Sequence, residues 1–122
     1  MTGIRPAELD DRLSAGADLF VLDVRPEADY QADAIDGSHN VPVYDELRDG
    51  DAAALRTRLD EVPFDRTVVV VCKLGFVAKR ATRALNEEGY DASTLAGGMH
   101  GWNGYQNGTL GYRLRSWLWR LF

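Results

Sequence analysis

The chain contains one cysteine, and the residues around it favour a reactive thiol. Cys72 closes the apolar run TVVVVC and is followed by KLGFVA, a short turn that leads into a helical pattern. This order places the sulfur over the amino end of a helix, where free backbone N–H groups and the helix dipole attract anions. Because this position favours a thiolate, we expect Cys72 to be a nucleophile. The alternative is a buried cysteine that only fills space.

The loop after Cys72 has the composition of an anion pocket. Gly75 allows a tight turn that points backbone N–H groups inward, where a side chain would crowd the concavity. Lys73 and Lys79, the only two lysines of the chain, flank this loop, and Arg80 follows. We therefore expect an anionic partner near the thiol. The alternative is a solvated basic helix face without a ligand.

The formal net charge of −5 hides an uneven distribution. Residues 1–66 carry sixteen acids and seven arginines, a charge of −9, whereas residues 67–122 carry three acids and seven basic residues, a charge of +4. The cationic half therefore begins just before the loop. Because the chain as a whole is acidic, nucleic acid is not expected as a partner.

Two other cysteine chemistries fit the spacing poorly. A cysteine phosphatase grips phosphate with an arginine six positions after the cysteine, and this chain has Ala78 there, with Lys79 and Arg80 following too late. A papain-like hydrolase needs a histidine base, and the chain offers only His39 and His100. We expect His39 to be structural and His100 to lie at the surface, although the sequence leaves both free to neighbour the thiol.

The elements that position Cys72 alternate between strand and helix patterns. Two short, uninterrupted runs of branched apolar residues are typical of strands buried on both faces of a parallel sheet. The alternation predicts an α/β domain with helices on both sheet faces. The predicted strands are 2–4, 19–24, 39–42, 67–72 and 92–95, and the predicted helices are 6–15, 26–33, 51–62 and 76–88.

The length of 122 residues corresponds to one domain, and 45% hydrophobic residues are enough to bury a core without disulfides or a metal. The single cysteine, the absence of a secretory signal pattern and the absence of a long apolar run predict a cytoplasmic protein. We expect residues 1–105 to form the folded domain. Residues 110–122, LGYRLRSWLWRLF, have an amphipathic helical pattern that is too short to cross a bilayer. This C-terminal helix or tail either packs on the domain or contacts a membrane surface or a partner.

Three blocks of the sequence keep the order and spacing of a known family. They are LDVRPEADY at 22–30, IDGSHNVP at 35–42, and VVVVCKLGFVAKRATRALNEEGYDASTLAGGMHGW at 68–102. Together they resemble the single-domain rhodaneses, which are sulfurtransferases. The resemblance implies a central five-stranded parallel sheet with helices on both faces. It also implies a cysteine that takes sulfane sulfur from a donor such as thiosulfate and passes the persulfide sulfur to cyanide or a physiological thiol.

The resemblance also implies roles for individual residues. Cys72 matches the catalytic cysteine of the family. Asp23 and Arg25 match an Asp-x-Arg pair, which we expect to be a structural ion pair beneath the loop, with substrate orientation as the second reading. Gly97 and Gly98 match a double glycine, where close backbone packing is the expected need. The residues that match the family's active-site loop, and that we expect to bind substrate, are Lys73, Leu74, Gly75, Phe76, Val77 and Ala78.

Departures from the family pattern affect the expected sulfur donor. Many members have an arginine five positions after the cysteine, where this chain has Val77. Two-domain thiosulfate enzymes often have two basic residues directly after the cysteine, where this chain has Lys73 and Leu74. We therefore expect thiosulfate to be a mediocre donor, with Lys79 or Arg80 compensating through space. A persulfide supplied by another protein is the better candidate.

Two functions follow as hypotheses. The first is a sulfurtransferase that carries sulfur on Cys72, needs no metal or organic cofactor, and exchanges sulfur with a small sulfur-containing anion or with donor and acceptor proteins. The second is a non-catalytic or redox-sensing module of the same fold that docks to a partner or membrane through residues 110–122. The intact Cys72 and Gly75 favour the first hypothesis.

Overall fold

The structure, a computed structural model, describes residues 3–108. Its strands are β1 (Gly3–Ile4), β2 (Leu19–Asp23), β3 (His39–Asn40), β4 (Thr67–Val71) and β5 (Ala92–Leu95). Its helices are α1 (Pro6–Ser14), α2 (Glu27–Ala32), α3 (Tyr44–Arg48), α4 (Ala53–Arg56) and α5 (Phe76–Glu87), with a 3₁₀ turn at Leu59–Glu61. A further helix, α6, begins at residue 98 and continues through residue 108, where the described part ends.

The five strands form one parallel sheet in the order β1-β5-β4-β2-β3. Alternate residues of the central strand β4 face opposite sides of the sheet. Val68 and Val70 belong to the apolar cluster that packs under α3, α4 and α5. Val69 and Val71 belong to the cluster that packs under α1 and α6. The predicted α/β fold, with five parallel strands and helices on both faces, is confirmed.

The strand ends bring three separate segments to one edge of the sheet. Cys72 follows β4, Arg25 comes two residues after β2, and residues 96–98 follow β5. Parallel strands end at the same edge, where open α/β sheets usually bind their ligands. Backbone hydrogen bonds continue the sheet past its ends, from Val24 N–H to Val71 and from Ala96 N–H to Ile4. The fold therefore places the thiol among three chain segments.

The predicted helix over residues 51–62 is wrong, because the chain forms α4 and a separate 3₁₀ turn there. Thr57 follows α4, and its hydroxyl donates to the Ala54 carbonyl at 2.8 Å. Such a local bond competes with helical hydrogen bonding. Arg58 then adopts φ −117° and ψ 19°, outside the helical range. The remaining predicted strands and helices are present, with ends that differ by at most two residues.

Two helices are absent from the sequence prediction. The short helix α3 carries a buried Leu47. Helix α6 runs through Asn103 and Gly104, two residue types with low helix propensity. Glycine costs a helix about 1 kcal/mol relative to alanine. Contacts with the domain offset that cost, since Asn103 donates to Asp33 at 2.8 Å and Trp102 packs on the apolar cluster under α6.

The amphipathic pattern at residues 110–122 lies outside the described residues. Within residues 3–108, no helix combines the length and the apolar character that crossing a bilayer requires.

Candidate active site

Cys72 lies directly after β4 with only 1% of its surface exposed. Its Sγ accepts hydrogen bonds from the backbone N–H groups of Gly75, at 3.0 Å, and Ala78, at 3.3 Å. Ala78 belongs to the first turn of α5, where a helix leaves its N–H groups without internal partners. The positive end of the helix dipole lies at the same point. This arrangement stabilises negative charge on the sulfur.

Glycine is required at position 75 for two reasons. Gly75 precedes α5 with φ +97°, a left-handed conformation that other residues rarely adopt. A Cβ there would also lie 3.2 Å from the Gly97 nitrogen and 3.4 Å from the Leu95 oxygen. The tight turn that aims the Gly75 N–H at the sulfur therefore depends on the missing side chain.

The amino end of α6 holds the other side of the loop. Met99 N–H donates to the Cys72 carbonyl at 2.8 Å, and His100 N–H donates to the Lys73 carbonyl at 3.1 Å. A Cβ on Gly98 would collide with the Cys72 oxygen and would lie 2.7 Å from the Lys73 oxygen. The close backbone packing expected at the double glycine is thus present at Gly98. This close packing lets α6, which lies far from the loop in sequence, donate hydrogen bonds directly to the loop backbone.

A small cleft of about 60 Å³ adjoins the thiol. It is lined by Cys72 and by five further residues, Tyr44, Lys73, Leu74, Phe76 and Val77. Four of these five belong to the segment that the sequence predicts to bind substrate. The fifth, Tyr44, belongs to α3, and no local motif signals it. Packing of α3 against α5 brings it to the cleft.

The two basic residues expected to compensate for the missing arginine are placed differently. Arg80 donates from Nη1 to the carbonyls of Leu47, at 2.7 Å, and Arg48, at 2.6 Å, so it caps the carboxyl end of α3. It does not line the thiol cleft. Lys79 Nζ lies 5.8 Å from the centre of the Phe76 ring. The Arg80 side chain therefore bonds to α3, whereas the Lys79 side chain lies over the ring of Phe76.

Asp23 and Arg25 form the expected ion pair, with both side chains buried. Arg25 donates from Nη2 to Asp23 Oδ2 at 2.8 Å, and from Nε to Oδ1 at 3.1 Å. Asn40 Nδ2 donates to the backbone carbonyls of both residues at 2.9 Å. Neither member of the pair lines the thiol cleft. This geometry fits a structural role, in which the ion pair and Asn40 connect the end of β2 to β3.

Neither histidine side chain forms a hydrogen bond with the thiol in the described part of the chain. His39 Nε2 lies 2.9 Å from Glu61 Oε1, and the His100 side chain is exposed. Hydrogen bonds from Arg58 and, secondly, from His39 lower the pKa of Glu61 to about 2. Within residues 3–108, the sulfur of Cys72 bonds only to backbone N–H groups, and no histidine reaches it. The described residues also include no group of three His, Cys, Asp or Glu side chains that suits a metal ion.

The thiol at a strand end, the glycine turn and the helix dipole define a site for an anionic sulfur. The rhodanese-like domain family matches residues 5–105, and the chain belongs to this family. The resemblance seen in the sequence is therefore confirmed.

Three known proteins illustrate the relationship. The probable adenylyltransferase/sulfurtransferase MoeZ of Mycobacterium tuberculosis is 34% identical over 100 residues, which cover 81% of this chain and 24% of that protein. This chain thus spans about a quarter of the length of that relative. The putative sulfurtransferase YtwF of Bacillus subtilis is 27% identical over 101 residues, which cover 83% of this chain and 89% of that protein.

The third protein is a solved structure, that of a rhodanese-related protein from Thermoplasma volcanium. It matches with a TM-score of 0.70 at 24% identity, covering 86% of this chain and 93% of that chain. This likeness shows the fold. The family and the names of the sequence relatives support a chain of the sulfurtransferase type, and Cys72 is consistent with its nucleophile.

Proposed function

We propose that this protein carries sulfane sulfur as a persulfide on Cys72 and passes it to a thiophilic acceptor. The observation that carries the proposal is the pair of backbone N–H bonds to Cys72 Sγ at the amino end of α5. Backbone donors of this kind stabilise a thiolate before attack and an anionic adduct after it, as an oxyanion hole does. The family relationship supports the same chemistry.

The reaction has two displacements. First, the Cys72 thiolate bonds to the sulfane sulfur of the donor, and the donor's sulfur–sulfur bond breaks. The electron pair of that bond leaves with sulfite or with the donor thiolate. Next, the acceptor, cyanide or a thiolate, bonds to the outer sulfur of the Cys72 persulfide. The persulfide bond breaks, and its electron pair returns to Cys72 as a thiolate.

The lining of the cleft favours a thiol persulfide over thiosulfate as the donor. Lys73 is the only charged side chain among the cleft residues, whereas Leu74, Phe76 and Val77 are apolar. Thiosulfate is a dianion that needs several charge-assisted hydrogen bonds when it leaves water. A persulfide on a protein presents one reacting sulfur, and the protein groups beside it can be apolar like the cleft lining. We infer that a protein persulfide is the main donor and that a second protein or a small thiol is the acceptor.

The test is intact-mass measurement after incubation with a sulfane donor. We expect the wild type to gain one sulfur atom and Cys72→Ser to gain none. Because the chain has a single cysteine, no other thiol is present to carry the sulfur. Glutathione persulfide and thiosulfate serve as the two donors, and glutathione persulfide is expected to react faster. A wild type that gains no sulfur from either donor rules the proposal out.

The redox-sensing alternative predicts a different product. Mild peroxide would leave Cys72 as a stable sulfenic acid or mixed disulfide, and added thiol would receive no sulfur. Measuring sulfur transfer from the loaded protein to a thiol acceptor separates the two functions.

A further inference from the structure

Two apolar side chains stand exposed beside the thiol cleft. Leu74 is 48% exposed and Phe76 is 71% exposed. Both line the cleft at Cys72, and both also line a second, larger cavity of about 280 Å³. They therefore form a ridge between the two cavities, which we call the Leu74–Phe76 ridge. The larger cavity is completed by Gly3, Gly75, Lys79, Thr94, Ala96 and Gly97.

One lysine lies on each side of this ridge. Lys73 lines the thiol cleft, and Lys79 lines the larger cavity. Within residues 3–108, neither lysine forms an ion pair. Most arginines of the same region are paired with carboxylates, namely Arg12, Arg25, Arg48, Arg56, Arg58 and Arg66. The only two lysines of the chain are thus available to meet an outside anion.

The ridge is poorly suited to a small sulfur anion alone. Such an ion has no apolar surface to cover Phe76, and the unfavourable hydration of an exposed aromatic ring is relieved only when a partner buries it. Aromatic side chains such as Phe76 are enriched in protein interfaces, where a partner buries them. Cys72 is almost completely buried, so the reacting sulfur must enter the small cleft, which the ridge borders. A narrow, extended segment of a partner protein fits this approach.

We propose that the Leu74–Phe76 ridge docks an acidic, extended segment of the protein that exchanges sulfur with Cys72. An apolar side chain of that segment fills the larger cavity, and its carboxylates pair with Lys73 and Lys79. This inference rests on the proposed function, because it names the kind of partner that the same site serves. Charge complementarity decides the partner class, since both lysines border the ridge.

The test uses synthetic peptides without reactive sulfur, so that binding is measured apart from transfer. The first is an eight-residue peptide that contains leucine, glutamates and, in place of the sulfur-bearing cysteine, serine. The second has lysines for the glutamates, and the third has serine for the leucine. We expect the glutamate peptide to bind about tenfold more tightly than the lysine peptide in amide NMR titrations. The difference should shrink at high salt, and the serine-for-leucine peptide should bind more weakly.

Variants locate the surface. Phe76→Ser and Lys79→Glu should each weaken binding of the glutamate peptide. The matched control is Phe64→Ser, since Phe64 is 65% exposed and packs on Tyr90 beyond the carboxyl end of α5, far along the helix from the loop. This control should bind as the wild type does. Each variant is first checked for a native amide spectrum.

Three outcomes would overturn the proposal. They are equal binding of the lysine and glutamate peptides, equal losses in Phe76→Ser and Phe64→Ser, and binding of phosphatidylglycerol vesicles through the ridge in preference to the peptide. The peptide comparison needs only the wild type, so it holds even if a variant fails to fold. Loss of sulfur uptake from glutathione persulfide would instead contradict the proposed function.

Discussion

The backbone nitrogens of Gly75 and Ala78 lie 3.0 and 3.3 Å from Cys72 Sγ, and both N–H groups donate to the sulfur. These donors act on any anionic adduct of the sulfur, whatever its source. Discrimination between donors must therefore come from the side chains of the cleft, where Lys73 supplies the only charge. Val77, half-buried on the cleft wall, occupies the position where the family resemblance leads us to expect arginine.

We predict that Val77→Arg makes thiosulfate a better donor. A guanidinium in the cleft would donate charge-assisted hydrogen bonds to the dianion, each worth about 1.5–3 kcal/mol. We expect kcat/KM for thiosulfate to rise at least about tenfold, because about 1.4 kcal/mol already corresponds to a factor of ten. The measurement is thiocyanate formation with cyanide as the acceptor. Val77→Met adds length without charge and should give no such gain; an equal gain in both variants would contradict the argument.

At the scale of elements, the amino ends of two helices meet at one loop. Helix α5 directs N–H groups at the sulfur, and α6 directs N–H groups at the carbonyls of Cys72 and Lys73. Helix α5 therefore favours negative charge on the sulfur, and helix α6 fixes the position of the loop backbone. The first residue of α6 must be glycine because a Cβ on Gly98 would collide with the loop backbone.

We predict that Gly98→Ala disrupts this junction. The added methyl group would collide with the Cys72 carbonyl, and φ +56° is unfavourable for alanine. Overpacking of this kind costs about 1–3 kcal/mol of unfolding free energy. Chemical denaturation measures that cost, and sulfur uptake by Cys72 should slow in parallel because the loop shifts.

The control for this prediction lies on the same helix. A methyl group on Gly104 would have no neighbouring atom of residues 3–108 within 4 Å, and Gly104 has no positive φ. Gly104→Ala should therefore leave the stability unchanged or raise it by up to about 1 kcal/mol. Similar losses of stability in Gly98→Ala and Gly104→Ala would contradict the prediction. They would show that α6 is sensitive to substitution in general, and that the collision with the loop does not cause the loss.

At the scale of the whole molecule, a buried apolar sheet lies beneath an acidic outer surface on which several carboxylates are paired. One such group links distant parts of the chain, since Glu61 bonds both Arg58, at 2.6 Å, and His39 of β3. The Arg58 bond, followed by the His39 bond, lowers the pKa of Glu61 from 4.5 to about 2. Charge on Glu61 therefore favours the folded state.

We predict a pH-dependent stability difference between the wild type and Glu61→Gln. A carboxylate whose pKa is lowered on folding stabilises the protein above its unfolded pKa, and that stabilisation disappears as the pH falls through the folded value. The wild type should have the higher Tm at pH 6, and the two Tm values should converge as the pH falls from 4.5 towards 2. Thermal unfolding monitored by circular dichroism measures both.

Asp65→Asn is the matched control, because Asp65 is exposed and has no hydrogen-bond partner in the described part of the chain. Its Tm difference from the wild type should be smaller and should change less with pH. A Glu61→Gln difference that stays constant from pH 6 to pH 2 would show that the carboxylate charge contributes nothing.

The sequence alone predicts the parts of this protein whose signals lie within a few neighbouring residues. Apart from Asp23, the runs at 19–24 and 67–72 are apolar on both faces, and such short runs rich in branched residues are typical of buried strands. The order of strand, Cys72, Gly75 and helix lies within one short segment, so the bonds at the sulfur follow from local geometry. Five parallel strands follow from the alternation of strand and helix patterns, supported by the family resemblance.

Only the tertiary structure decides the features that depend on distant segments. Helix α6 passes through Gly104 because Asn103 and Trp102 find partners across the domain. Tyr44 reaches the thiol cleft because α3 packs on α5, and Arg80 is turned to α3 for the same reason. Local propensities are worth about 1 kcal/mol or less per residue, so contacts between distant segments override them. Such contacts leave no local pattern in the sequence.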